Sequence, residues 1–168
     1  MPKDSVYFSG IAEEFDANPY LGENFTPWSW PSDSQRILRN FLVPSLVLDP
    51  KHRGLDIALE EGNQLRSPSS GIVRFSGFVV DRYLLTIDHG KGLISTFEPI
   101  ETQLLAGDTV ARGQIIGQLP AQGEPKHCAV SCFHFGVRKN GKYLNPLLLL
   151  GALPRSVLYP VESPYFRY

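Results

Sequence analysis

Cysteine is scarce: only Cys128 and Cys132 occur in 168 residues, four positions apart. Three readings stay open at this point: two buried thiols, a small-loop disulfide, or two metal thiolates that would need further ligands from elsewhere. Long apolar runs are missing too. The densest, Leu147 to Leu150, falls far short of the roughly 18 consecutive apolar residues that a membrane span requires. Charge of one sign is also absent, with 16 basic against 17 acidic residues and a net charge of -1. So balanced a chain is a poor glove for nucleic acid. The first residues, Met1-Pro2-Lys3-Asp4, lead to Glu13, Glu14 and Asp16 rather than to an apolar stretch, and no signal peptide is read in them.

What is present is an ordinary globular balance, with 42% hydrophobic and 20% charged residues, which excludes wholesale disorder. The length suits one domain with extensions. Residues 1–33 read as an irregular N-terminal arm, packed through Tyr7, Phe8, Phe15 and Phe25 and ending in an aromatic lead-in, Trp28 and Trp30 between prolines. Residues 34–151 form the domain, and 152–168 an extended tail. Fifteen glycines and fourteen prolines fit many short strands joined by tight turns. Strands are predicted at 37–43, 54–59, 71–80, 83–88, 93–97 and 133–138, with shorter extended pieces at 63–68, 107–110 and 112–117. His89-Gly90-Lys91-Gly92 and Lys139-Asn140-Gly141-Lys142 read as hairpin turns. Only 146–150 looks helical, with Pro146 at its start and Gly151 as its stop. Turn signals every eight to twelve residues predict an all-β sandwich or barrel.

The chemistry-bearing residues are few. In His52-Arg53-Gly54-Leu55-Asp56 an imidazole and a carboxylate are four apart, and on a strand both would face one side. Alternation in Cys132-Phe133-His134-Phe135-Gly136 turns His134 away from the two phenylalanines. Imidazole nitrogen and carboxylate oxygen are donors that zinc accepts, and three protein ligands leave a fourth position open for chemistry.

These blocks, in this order, resemble the lysostaphin-type (LytM-like) zinc endopeptidases, which cut peptide bridges in bacterial peptidoglycan. The resemblance runs from about His52 to Gly151. It rests on His52-Arg53-Gly54-Leu55-Asp56-Ile57-Ala58, Ser67-Pro68-Ser69-Ser70-Gly71, Ile87-Asp88-His89-Gly90, Gly107-Asp108-Thr109-Val110, Phe133-His134-Phe135-Gly136 and Leu144-Asn145-Pro146. It implies an antiparallel barrel-sandwich-like domain of duplicated hybrid-motif type and a zinc ion held by His52, Asp56 and His134. It also implies a peptidoglycan peptide as substrate, no partner nucleic acid, a monomer, and an extracellular or cell-envelope location.

Two departures accompany it. The family usually has His-x-His in the last strand, and Cys132 stands at the first of those positions. It usually has an aromatic-x-His after the glycine hairpin, and here Phe97-Glu98-Pro99 puts proline in that place. Both customary proton-handling imidazoles are thus replaced. His127 and Glu98 are the candidate substitutes as catalytic residues. The combination resembles a variant branch associated with actinobacterial secreted proteins, which implies that Cys128 and Cys132 are paired. His89 reads as structural or supporting rather than as a ligand. Arg53 and Arg138 read as surface arginines that could instead meet acidic substrate groups. Loops around 44–46, Lys91 and 123–125 are expected to wall the groove.

Two other functions compete. A catalytically weakened module of the same fold would bind peptidoglycan or regulate a partner hydrolase. Biotinyl or lipoyl carrier domains share turn units like Gly107-Asp108-Thr109-Val110, but they need a hairpin lysine, usually beside methionine. Lys91 sits between glycines, and the sole methionine is Met1.

Overall fold

A computed structural model describes residues 26–42, 52–121, 128 and 130–153. Among these residues the chain forms ten strands and one short helix. They are β1 (Ile37–Arg39), β2 (Gly54–Ala58), β3 (Gln64–Arg66), β4 (Gly71–Val79), β5 (Arg82–Asp88), β6 (Leu93–Glu98), β7 (Thr109–Val110), β8 (Ile115–Gln118), β9 (Cys132–Lys139), β10 (Lys142–Leu144) and α1 (Pro146–Leu149). An eight-stranded sheet runs β1-β2-β9-β6-β5-β4-β7, with β10 paired to β9, and β3 pairs β8 in a second sheet. All of these strand pairs are antiparallel, the all-β architecture that the resemblance implies.

Side chains alternate across each strand, so one sequence serves two faces. Leu55 and Ile57 of β2, Leu85 and Ile87 of β5, Phe97 of β6, and Phe133, Phe135 and Val137 of β9 point to one side and are essentially solvent-free. Leu65 of β3 and Ile116 of β8 join the same core from the small sheet. Burying each such side chain contributes about 1.5–3 kcal/mol. Phe97 and Phe135 are directly opposite in register, and their rings lie 5.3 Å apart. Trp28 closes one end of this core, its backbone N–H donating to the Leu149 carbonyl, while Trp30 packs partly against it. Asn145 caps α1 by accepting from the Leu147 N–H. The aromatics of the N-terminal arm before residue 26, and the tail beyond residue 153, lie outside the described residues.

Two predicted elements differ. The strand expected over 37–43 is shorter: β1 ends at Arg39, and its register against β2 slips between Ile37 and Arg39. Past β1 the Leu42 N–H donates to the His52 carbonyl, and Val43 lies outside the described residues. The β5–β6 turn has the expected glycines. A Cβ at Gly92, where φ is +74°, would collide with the Asn140 side chain. The β4–β5 hairpin instead turns through Val80, at φ 59° and almost fully exposed.

Candidate metal centre

The face opposite the core carries the site. Residues directly opposite on neighbouring antiparallel strands share a face. Asp56 of β2 is opposite His134 of β9, and His134 is opposite Glu98 of β6. One step along, Gly54, Gly136, Thr96 and Thr86 form a parallel row. The row of small side chains makes a floor, and the row of acids and imidazole makes one wall.

His52 is not on a strand, as its spacing had suggested; it stands two residues ahead of β2. It still reaches Asp56 because its ring is tethered, with Nδ1 2.8 Å from the Asn40 carbonyl oxygen. Its Nε2 lies 2.9 Å from Asp56 Oδ1. His134 Nδ1 approaches the same oxygen at 2.8 Å. The two imidazoles meet edge to face, 4.8 Å between centres. Asp56 is 1% exposed and His52 8%. A carboxylate so buried requires positive charge beside it.

The donor set fits a metal ion. The Asn40 carbonyl can only accept, so His52 Nδ1 carries a proton and donates it. A neutral His52 then aims its Nε2 lone pair at a carboxylate oxygen, two acceptors face to face. A cation shared by the group resolves that opposition. His52, Asp56 and His134 each offer one ligand atom, all within 4.8 Å of one another. Gly54 makes room for this: a Cβ there would lie 2.6 Å from His134 Nε2.

A cleft of about 400 Å³ opens over the group, lined by His52, His134, Glu98, Thr86, Thr96 and Gly136 and rimmed by Arg39, Arg53, Arg138 and Tyr143. It shares Leu84, Thr86 and Arg138 with an adjoining hollow that reaches Phe75 and Val79. Alternation within β6 turns Glu98 away from the buried Phe97, and its pairing with His134 sets it on the cleft side. Lys91 does not line the cleft. It belongs to the β5–β6 turn, at the sheet end where Leu93 meets Lys139, five residues from the Glu98–His134 pair. His127 and the loops at 44–46 and 123–125 lie outside the described residues. Cys128 and Cys132 are disulfide-bonded, with Cα atoms 6.2 Å apart. Cys132 therefore has no thiol to titrate.

His89 sits elsewhere. Its Nδ1 lies 3.0 Å from the Ser70 carbonyl, its Nε2 2.8 Å from Ser95 Oγ, and its ring 4.5 Å from Trp28. Burial pushes its pKa below the ordinary imidazole value, opposed mainly by the Ser70 carbonyl and then by Asp88. It buttresses a turn and takes no part in the metal group. Asn40, Arg39 and Tyr143 were not foreseen. Asn40 acts through its backbone carbonyl, which leaves no mark in a sequence, and the two side chains belong to no motif.

The fold and the donor set together define an antiparallel β domain with a metal-competent cleft. The sequence profile of peptidase family M23 matches residues 50–146, a stretch that includes every cleft residue named above except Arg39, and the chain belongs to that family. Rv2891 of Mycobacterium tuberculosis is 32% identical over 130 residues, which are 74% of this chain and 52% of that protein. The murein hydrolase activator NlpD of Salmonella typhimurium is 28% identical over 126 residues, 73% of this chain and 31% of that one. Among solved structures, Helicobacter pylori Csd3 matches with a TM-score of 0.58 at 28% identity, over 80% of this chain and 35% of Csd3. The chain spans about half the length of the first curated relatives it matches, and less of NlpD. No helix among the described residues is long and apolar enough to cross a membrane.

Proposed function

We propose that the protein is a zinc-dependent endopeptidase that hydrolyses peptide bonds of bacterial peptidoglycan in the cell envelope. The observation that carries this reading is the convergence of His52 Nε2, Asp56 Oδ1 and His134 Nδ1 in an open cleft. Zinc bound there would polarise the scissile carbonyl and bring the pKa of a coordinated water toward about 7. The chain's own residues supply the rest. The Asn40 carbonyl fixes the His52 ring, and the Gly54–Gly136 floor lets an extended peptide lie close to the strands. Glu98, opposite His134, is the proposed acceptor of the water proton. His127 is a second proposed proton carrier, on sequence alone. A positioned acid or base contributes typically ~10²–10⁴-fold.

A second reading is a module that binds peptidoglycan or activates a partner hydrolase. Cys132, locked in its disulfide, and Pro99 favour it, since both stand where proton-handling imidazoles are expected. A match to a murein hydrolase activator points the same way. One experiment separates the readings: zinc content by mass spectrometry together with release of soluble fragments from purified peptidoglycan, for wild type and His134→Ala. About one zinc per chain, with chelator-sensitive release absent from the variant, supports the peptidase. Zinc without release supports the module, and no zinc in the wild type overturns the metal centre. His127→Ala and Glu98→Gln, each tested on the active protein, assign the proton carrier.

A further inference from the structure

The cleft's rim is cationic, and among the described residues its arginines pair with no carboxylate. On β9, His134, Gly136 and Arg138 share the cleft face. β10 pairs back along β9 and places Tyr143 opposite Arg138. The Arg138 guanidinium carbon lies 5.8 Å from the Tyr143 ring centre, and that of Arg53 lies 5.2 Å from it. Arg39 lines the same cleft. Three arginines thus face one glutamate, Glu98.

Most described arginines elsewhere are engaged, Arg36 being the exception with only backbone bonds. Arg74 pairs with Asp88, Arg82 with Asp81, Arg66 donates to the Gly113 carbonyl and Arg112 to Ser29 Oγ. Among the described residues, no carboxylate lies within 4.0 Å of Arg39, Arg53 or Arg138. Like charges gathered without a counter-charge repel one another, and an anion in their midst relieves that. An aromatic ring beside a guanidinium steadies it while leaving its N–H fork free for bidentate bonds to a carboxylate.

We propose that Arg138 and Arg53, steadied by Tyr143, bind a carboxylate of the substrate, so that the protein selects peptides with a free carboxylate near the bond cut. This rests on the peptidase reading for its orientation. Arg138 is four residues along β9 from His134, about 13 Å at 3.3 Å per residue. An extended peptide covers that distance in roughly four residues. The carboxylate is therefore a chain terminus or an acidic side chain within about four residues of the scissile amide.

The test measures binding apart from cleavage. Fluorescent alanine pentapeptides are compared as C-terminal acid and C-terminal amide, and as glutamate and glutamine variants at internal positions. Wild type should bind at least one acid form about tenfold more tightly than its neutral twin, the size of a single charge-assisted pair. Arg138→Gln and Arg53→Gln should cut that preference to less than about twofold while retaining wild-type zinc content and melting temperature. With cleaved substrates, KM rises and kcat stays. No preference in the wild type, or an undiminished preference in both variants, overturns the proposal. Inorganic phosphate that competes while acid and amide bind alike also overturns it, showing a general anion site. Preference without any cleavage sinks the peptidase reading and leaves the carboxylate site standing.

Discussion

Gly54→Ala adds one methyl group, and the structure says where it must go. The new Cβ would lie 2.6 Å from His134 Nε2 and 2.8 Å from its Cε1, and against the Phe135 carbonyl oxygen. The φ of Gly54 is outside the left-handed region, so backbone preference does not oppose alanine; only space does. The carbonyl belongs to the paired strand β9 and cannot step aside without opening the ladder between Gly54 and Gly136. Overpacking of this kind costs typically 1–3 kcal/mol. At about 2–4 °C per kcal/mol for a chain of this size, the melting temperature should fall by roughly 2–12 °C. The displaced imidazole should also weaken metal binding, by about 10–100-fold if it behaves like other losses of ligand support. Gly136→Ala is the control. Its Cβ would stand 3.6 Å from the same Nε2, an ordinary contact, and both effects should be small. Thermal melts of metal-free protein and zinc titration against a competing chelator read the two quantities separately. Equal melting and equal zinc affinity in Gly54→Ala and wild type would refute the argument that this glycine exists to seat His134.

Two further outcomes follow from the same structure. Phe135→Ala empties a fully buried position beside Phe97 and should cost about 3–5 kcal/mol in denaturant unfolding; a loss under 1 kcal/mol would mean the core is not packed around it. His89 is held below its ordinary pKa by burial, so as pH falls below about 6.5 the unfolded chain takes up this proton before the folded one. Its contribution is fully present above that pH and is lost as pH drops through the lowered folded value. His89→Gln should flatten stability against pH between 7 and 5, and an unchanged slope would show that His89 is not the group responsible.

Much of this architecture is legible in the sequence because alternation is a local signal. Leu55 and Ile57 flank Asp56, and Phe133 and Phe135 flank His134, so core and cleft can be told apart strand by strand. The ligand group is legible because both halves lie in short motifs. What is not legible depends on pairing between distant strands. That Glu98 meets His134 is decided by the pairing of β6 with β9, thirty-six positions on. The tether on His52 comes from a main-chain oxygen, and the slip in register within β1 from its pairing with β2. The pairing of two cysteines four apart requires knowing where their Cα atoms stand.

The division of β9 between core and cleft bears on how this protein can change length. Phe133, Phe135 and Val137 fill the interior, while His134, Gly136 and Arg138 serve the other side. Removing one residue between Cys132 and Lys139 would invert part of that strand, sending phenylalanine to the cleft and an imidazole to the interior. Substitution can remodel the cleft floor one position at a time, but insertion and deletion are confined to the turns, such as Asn140-Gly141. Library designs that vary loop length there and residue identity at 136 and 138 would remodel the cleft without unseating His52, Asp56 and His134.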